Sequence, residues 1–437
     1  MTSSREPVWD VVIIGAGVAG LAAWSELDRA GVKALCLEAR DRIGGRILTV
    51  HDPFSPLPIE LGAEFVHGRS PDIWSVIESA RLFAYDCAER AVHVKHGRVQ
   101  HSDDAWQVVS RVMEAMQKAA KNGPDQSFLT FLNATSFPAE AKQLATLYVA
   151  GFNAARADEV SIASLAKDAE AADSIDGDHL FRLADGYDSI PHHLLRGVVQ
   201  WEEKLRLNSV VEAITWQPRV CAVQARSVLT EELSTYRAHR IIITVPLGVL
   251  HDDAIRFDPE PVEKLQAAKL LRFGQVIRII LRFDTRIWEA KEPFKSAGFI
   301  LSDEPVFPTW WTPLPVRAPI ITGWSAGPKA DALLELKPAE IIKRATEQLA
   351  RVTGLEVDHV RGSLRKIYSH NWHGDPFARG AYSYVPVGAT DQRNILAEPV
   401  SDTLYFAGEA AETEGHSATV HGAIAAGRRA ARQIIGS

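Results

Sequence analysis

Cysteine is scarce, with three residues in 437, at positions 36, 87 and 221. They lie too far apart for a CxxC pair, which excludes a zinc ribbon or a thioredoxin-type dithiol, and no metal site is expected. Spacing alone leaves one distant disulfide open, although so low a count fits a reducing compartment. Positive charge is also in deficit: 48 Lys and Arg stand against 55 Asp and Glu, a net −7. A phosphate-backbone binder needs a basic face, so no nucleic-acid partner is expected. Long hydrophobic runs are missing. The longest, Val11 to Ala23, has 13 residues and contains three glycines, short of the ~20 that span a bilayer. The opening MTSSREPVWD lacks the charged-then-apolar plan of a signal peptide, and no apolar tail follows the last helical pattern. The expectation is a soluble, cytoplasmic protein without a membrane partner.

What the chain does have is the balance of a globular protein, 46% hydrophobic and 24% charged. Its length exceeds one ordinary core, so two domains are expected. The first forty residues read as a βαβ unit. Val11–Ile14 is a short apolar run suited to a strand buried on both faces of a parallel sheet. Gly15-Ala16-Gly17-Val18-Ala19-Gly20 follows, Leu21 to Ala30 reads as a helix closed by Gly31, and Val32 to Leu37 is a second strand ending on Glu38. Residues 41–70 read as loops and short strands. Helical patterns dominate from 71 to about 200, including Trp106–Lys121 and Ala139–Phe152. Strand character returns at 207–245, at Val276–Phe283, at Ile320–Trp324 and at Leu404–Glu409. Helices are expected near 338–352 and from Thr419 to Ile435.

The GxGxxG motif has the context that gives it meaning, between an apolar strand and a helix, with an acidic strand end 18 residues beyond Gly20. Gly15 permits the tight turn, Gly17 lets the backbone approach a pyrophosphate, and Gly20 allows close helix–strand packing. The helix N-terminus offers free N–H groups and partial positive charge to phosphates. Glu38 is placed to accept from a ribose hydroxyl and disfavours a 2′-phosphate there.

After Glu38 comes Ala39-Arg40-Asp41-Arg42-Ile43-Gly44-Gly45-Arg46. EARDRIGGR behind GAGVAGLAA resembles the FAD-dependent amine oxidase family, which includes monoamine oxidases, polyamine oxidases and the related histone demethylases. The resemblance continues through ELGAEFVHG (60–68), WHGDPFARGAYSY (372–384), FAGE (406–409) and ATVHGA (418–423). It implies an α/β fold with a discontinuous Rossmann-type FAD-binding domain (1–70, 201–285 and 366–437) and an inserted mixed α+β substrate domain (71–200 and 286–365). It places Gly44, Gly45 and Arg46 along the flavin and pyrophosphate, where buried phosphates call for a bidentate guanidinium. Val211 resembles the position whose backbone meets the adenine, and Glu409 the acidic residue near the ribitol and pyrophosphate. Arg40, Gly62, Ala63, Glu64, Trp372, Gly408, Thr419 and Val420 fall in the other cofactor blocks. A helix starting at Thr419-Val420 would bring positive dipole to the flavin's N1–C2=O edge.

The resemblance also implies the chemistry: a small-molecule amine gives up a hydride to non-covalent FAD, the imine hydrolyses, and molecular oxygen is reduced to hydrogen peroxide. Tyr382 matches the tyrosine flanking the amine path. Ala381 stands where covalent monoamine oxidases carry the flavin-linked cysteine. Thr419 stands where a second tyrosine would complete an aromatic pair, a pattern closer to the polyamine oxidase and demethylase side. His67 matches a polyamine-oxidase-like position near the substrate tunnel, and Glu64 could serve a polycation as a carboxylate partner. Trp310 and Trp311 could wall the substrate outside, with core packing as the alternative. Arg278 takes the place of a family lysine that is water-linked to flavin N5, so altered oxygen reactivity is expected. A histone substrate is not expected. An L-amino-acid oxidase, a desaturase or a flavin-binding scaffold without turnover remain open readings of the same segments.

Overall fold

The computed structural model describes residues 8–100 and 103–436, with the side chains of 103–105 excepted. Most of the N-terminal stretch read against a signal peptide lies outside the described residues.

Two large sheets carry the fold. The first strand, β1 (Val8–Ile14), is buried from Val11 to Ile14 and lies parallel to β2 (Ala34–Leu37) on one side and to the long strand Leu233–Ile243 on the other. Continuous apolar runs form these central strands because both faces are covered. The sheet continues antiparallel through Val220–Ser227 and Ser209–Gln217, and Leu404–Phe406 pairs parallel with Ile241–Ile243. Between β1 and β2 runs helix α1 (Val18–Arg29). The final helix, Val420–Ile435, packs against it at very short range: a Cβ on Gly427 would fall 2.0 Å from the Ala19 carbonyl oxygen. The small residues of this helix, among them Gly422, Ala423, Ala426 and Gly427, allow two helices to touch backbone to backbone.

The second sheet has seven strands, in the order Leu364–Tyr368, Val276–Phe283, Ile320–Ala326, Thr309–Trp311, Phe299–Ser302, Ala91–Lys95 and Arg98–Gln100. Two expectations need correction here. Val276–Phe283 and Leu364–Tyr368, assigned wholly or in part to the cofactor segments, hydrogen-bond to each other and to Ile320–Ala326 in this second sheet. The stretch 91–100, within a region read as mainly helical, supplies its far edge. Strand partners from some forty to some two hundred residues apart leave no periodic signal in one sequence, and alternation reports a half-buried face without saying which sheet owns it. A helical layer with its own apolar core (Asp103–Asn122, Phe128–Ala134, Ala139–Asn153 and Ile162–Asp173) covers the second sheet's side of the molecule.

Among the described residues no helix is long and apolar enough to cross a membrane, and no cluster of His, Cys, Asp and Glu could hold a metal. All three cysteines are buried and free.

Candidate active site

The β1–α1 turn is built around two glycines that nothing else could replace. Gly15 has φ +102°, and a Cβ there would lie 2.6 Å from the Thr244 hydroxyl. A Cβ on Gly20 would lie 2.0 Å from the Gly15 carbonyl oxygen. Gly17 differs: the nearest atom to its added Cβ is Gly45 Cα at 4.0 Å, so the missing side chain leaves open space. Gly17 also bridges to Gly44 of the neighbouring loop. The first-turn amides of α1, which lack intrahelical acceptors, therefore face a cleft lined by two runs of bare backbone. Arg42, which sequence reasoning passed over, holds that loop by donating to the carbonyls of Ile43, Gly45 and Ile47 at 2.9–3.1 Å.

Glu38 accepts from the Ala16 amide at 2.7 Å and the Arg40 amide at 2.9 Å. Each oxygen keeps a second lone pair for a ribose hydroxyl. Burial pushes its carboxyl up despite these bonds.

The cleft opens into one cavity of about 1930 Å³, roughly twice the upper end of ~1,000 Å³ for ordinary small-molecule pockets. Every candidate residue named from the sequence lines it except Gly20, whose part is packing, and Trp310, which is buried in the core. Val211 lies at one end with Ser209 and Val210; Gly408, Glu409, Thr419 and Val420 form the floor; Tyr382, Arg278 and His67 surround the far end. A dinucleotide fits this lining on physical grounds. Gly17, Gly45 and Gly408 present backbone without side chains, and a Cβ on Gly408 would meet nothing nearer than 4.0 Å. First-turn amides and the Glu38 carboxylate stand at one end.

Arg46 is held by Glu409 at 2.9 Å and by the Ala381 carbonyl at 2.7 Å. Glu409 also accepts from the Ser383 hydroxyl at 2.6 Å and the Ala418 amide at 3.2 Å. Burial would raise its carboxyl, but the guanidiniums of Arg46 and Arg393 outweigh burial and hold it below the usual range. Arg393, unforeseen, donates to Ser383 Oγ at 2.9 Å and to the Glu409 carbonyl at 3.1 Å. Arg40 pairs with Asp375 at 2.6 Å.

At the far end, Arg278 is buried between the rings of Trp311 and Trp324, 5.1 and 5.6 Å from their centroids. It donates to the backbone oxygens of Glu60 and Gly62 and to Glu64 at 2.5 Å. Glu64 is bound by Arg182 at 2.6 Å and by the Trp311 indole N–H as well. This corrects one expectation: the Glu64 carboxylate is saturated by two guanidiniums and an indole, so it offers nothing to a polycation. Trp310 is fully buried core, while Trp311 lines the cavity. Thr419 caps the last helix, accepting from the Gly422 amide at 3.0 Å and donating to the His416 carbonyl at 2.6 Å. Its hydroxyl is committed to the cap. Trp372 donates its indole N–H to the Leu61 carbonyl at 2.9 Å.

Tyr382 donates to the Phe152 carbonyl at 2.9 Å, which fixes its ring against the cavity, and burial pushes its hydroxyl well up. Phe152 stacks on Tyr148 at 5.6 Å and meets the His67 ring edge-on at 6.0 Å. These two aromatics sit four apart on the Ala139–Asn153 helix, an i,i+4 pair that the sequence displayed without a reason to single it out. Burial draws His67 down to about 4 and, helped by His416 and His67, His421 down to about 3. Both imidazoles are therefore neutral around pH 7. Acid should expose this. Below about pH 6.5 the unfolded chain binds protons that these folded histidines refuse, so their contribution to stability falls as pH drops through 6.5 and is lost below their folded values. The urea midpoint is expected to fall less steeply between pH 7 and 4 in a His67→Gln variant; an identical slope would disprove that linkage.

With that geometry in place, comparison with known proteins is decisive. The family model described as "Flavin containing amine oxidoreductase" matches residues 18–435. The chain belongs to this family. The cofactor of this flavin amine oxidoreductase is FAD, for which the dinucleotide cradle provides. Polyamine oxidase 4 of Oryza sativa subsp. japonica is 28% identical over 459 residues, covering 96% of this chain and 87% of that protein. Lysine-specific histone demethylase 1 homolog 2 of the same organism is 28% identical across 97% of this chain, but the chain spans only 57% of that protein's length. In fold, a putrescine oxidase carrying redesigned cofactor-binding residues matches with a TM-score of 0.83 at 22% identity, covering 98% of this chain and 99% of its own. The cyclohexylamine oxidase of Brevibacterium oxydans IH-35A matches with a TM-score of 0.83 at 21% identity, with the same coverage.

Proposed function

We propose that this amine oxidoreductase oxidises the C–N bond of a small primary or secondary amine, giving an imine that hydrolyses to a carbonyl compound, with oxygen reduced to hydrogen peroxide. The observation that carries the substrate side is the far end of the cavity, where an aromatic wall of Tyr382, Phe152, Trp311 and Trp324 surrounds side chains that offer no free charge. FAD, when bound, supplies hydride acceptance. The protein's part is to desolvate the amine, hold it unprotonated and orient its α-carbon. Neutral His67 can accept a hydrogen bond from a neutral amine, and the Tyr382 face can align its lone pair. Ala381 at the former attachment position and three buried cysteines elsewhere support non-covalent binding of the cofactor. Among the described residues, each arginine of the lining is paired with a carboxylate, which leaves an α-carboxylate no free guanidinium and favours this reading over an amino-acid oxidase.

The test is anaerobic mixing of purified holoprotein with mono-, di- and polyamines and with L-amino acids. Bleaching of the flavin band by amines is expected. Bleaching by amino acids alone would overturn the proposal.

Arg278 sharpens the oxidative side. Its guanidinium is taken by Glu64, by two carbonyls and by two indole rings, apart from Nε, which is buried without a partner among the described residues. It supplies positive charge yet is poorly placed to pass a proton. Replacing it by lysine, Arg278→Lys, is expected to change the rate of flavin reoxidation by air after photoreduction; an unchanged rate would show that this side chain has no role in the oxidative half-reaction.

A further inference from the structure

One buried polar side chain of the cavity wall is left without a partner. His421 is 4% exposed, and its Nε2 makes no hydrogen bond among the described residues. It lines the cavity in the first turn of the Val420–Ile435 helix, where the positive end of the helix dipole adds to burial in opposing an imidazolium. Its ring meets that of His416 edge-on, centroids 5.0 Å apart, and His416 is only half-buried on the loop before the helix. His67 lies close enough for its charge to bear on His421. One nitrogen of His67 donates to the Gly177 carbonyl, so the other is an acceptor. The further charged groups around this turn are Glu412 and Asp168. The Glu412 carboxylate accepts from the amides of Glu414 and His416 at 2.7 Å each, and a Cβ on Gly422 would lie 3.0 Å from its Cγ. The Glu412 charge bears in turn on Asp168, which lines the cavity from the Ile162–Asp173 helix.

Amine oxidation makes a demand on these groups. An alkylamine, like a lysine side chain with its value of about 10.4, carries a proton at neutral pH, and the nitrogen must shed that proton before its lone pair is free. Around Tyr382 the other polar groups are committed. Glu64 is held by Arg182, Arg278 and the Trp311 indole, and Glu409 by Arg46, Ser383 and the Ala418 amide. Tyr382 donates to the Phe152 carbonyl and Thr419 caps its helix, while Arg278 keeps its protons. Asp168 feels the charges of Arg393, Glu412 and Lys167, and Tyr382 those of Arg278 and Glu409, so the two share no charged neighbour. The imidazoles remain. An imidazole takes a proton on one nitrogen while giving one up from the other, so it can pass a proton without storing it.

We propose that His421 moves the substrate's proton out of the cavity by way of His416. The ammonium N–H bond breaks, directly or across one water, and an N–H bond forms at His421 Nε2. The proton on the opposite nitrogen passes to His416 and from there to solvent. The electron pair stays on the substrate nitrogen, which rests uncharged against His67 and the ring of Tyr382. This rests on the amine-oxidation reading above and adds to it a proton route and the buried residue that carries it. A neutral imidazole suits the task, because an imidazolium at this place would repel the entering ammonium.

The experiment follows anaerobic flavin bleaching of the holoenzyme by butylamine, benzylamine and putrescine from about pH 7 to about pH 10, the range in which the amines lose their proton, in the wild type and in His421→Phe, His421→Asn and His416→Gln variants. The wild-type limiting rate should change little across this range. In both His421 variants it should fall roughly a hundredfold at the neutral end, the lower scale of proton-transfer catalysis. It should then climb about tenfold per pH unit towards the wild-type value, as more of the amine arrives uncharged. The loss should reside in the limiting rate rather than in the amine concentration giving half-maximal reduction. Free imidazole should restore part of the rate to His421→Asn and add nothing to the wild type, and His416→Gln should show a smaller loss with the same pH dependence. A loss of equal size at every pH would leave His421 a structural role only, and a wild-type profile in both His421 variants would show that the proton leaves another way; either result overturns the proposal. A wild-type flavin that no probe bleaches would instead bring down the underlying amine-oxidation reading, so the two failures are distinguishable. Asparagine keeps a polar side chain where phenylalanine disturbs the packing, and the visible flavin spectrum of each variant checks that its cavity is intact.

Discussion

Replacing Glu409 with alanine should release the flavin and cost about 3–5 kcal/mol of stability, the range for breaking a buried ion pair from one side. The carboxylate joins parts of the chain far apart in sequence: Arg46 from the glycine-rich loop, Ser383 beside Tyr382, and the Ala418 amide just before the last helix. Its removal would leave Arg46 with only the Ala381 carbonyl and would weaken the support of Arg393. A guanidinium in such surroundings keeps its charge and must draw in water to be solvated, which would displace the cofactor's neighbourhood. Thermal melting and the ratio of flavin absorbance to protein absorbance measure both effects. Glu409→Gln should lie between the two, since an amide still accepts from Ser383 but no longer balances Arg46. A wild-type flavin ratio in the alanine variant would refute the assignment.

The second large effect separates two glycines of one motif. Gly20→Ala places a methyl group 2.0 Å from a backbone oxygen of Gly15. The turn cannot yield without moving β1 against α1, so a loss of about 3 kcal/mol or more is expected, with little soluble protein recovered. Gly17→Ala meets nothing closer than 4.0 Å. It should fold normally, because its methyl group intrudes only on the open strip beside Gly45. Flavin affinity should nevertheless fall roughly tenfold or more, because that strip is where a pyrophosphate must approach the backbone. Chemical denaturation of the apoproteins, followed by titration with FAD, distinguishes the two. Equal stability losses would show that the open strip is not a ligand path.

The nucleotide end was legible because its requirements are local. Gly15, Gly17, Gly20 and Glu38 lie within one βαβ unit, and a turn, a close approach and a carboxylate at a fixed distance leave few alternatives. Val276–Phe283 was likewise bounded correctly from its apolar run. Its sheet was not, since pairing with 320–326 and 364–368 is a tertiary fact. The same limit explains Glu64. A loop carboxylate reads as available until Arg182 and Arg278, far downstream, are seen to meet on it. Thr419 was read at the start of the last helix and also at the place of an aromatic-pair tyrosine; that its hydroxyl is spent on the Gly422 amide and the His416 carbonyl is a contact the sequence does not display.

The approach of Gly427 to Ala19 has a consequence for how the molecule is made. The first strand and helix leave the ribosome early, but their partners come from residues 233–243, 404–406 and 420–435. At about 5–20 residues per second, the interval between Ala19 and Gly427 is on the order of 20–80 s. Until residues 233–243 follow, the apolar edge of β1 has no neighbour beyond β2, and until 420–435 follow, the first helix lacks its backbone-to-backbone partner. The nucleotide cradle therefore cannot close before residues 420–435 have been made, and flavin uptake becomes a late event whose success reports that both distant parts of the chain have met.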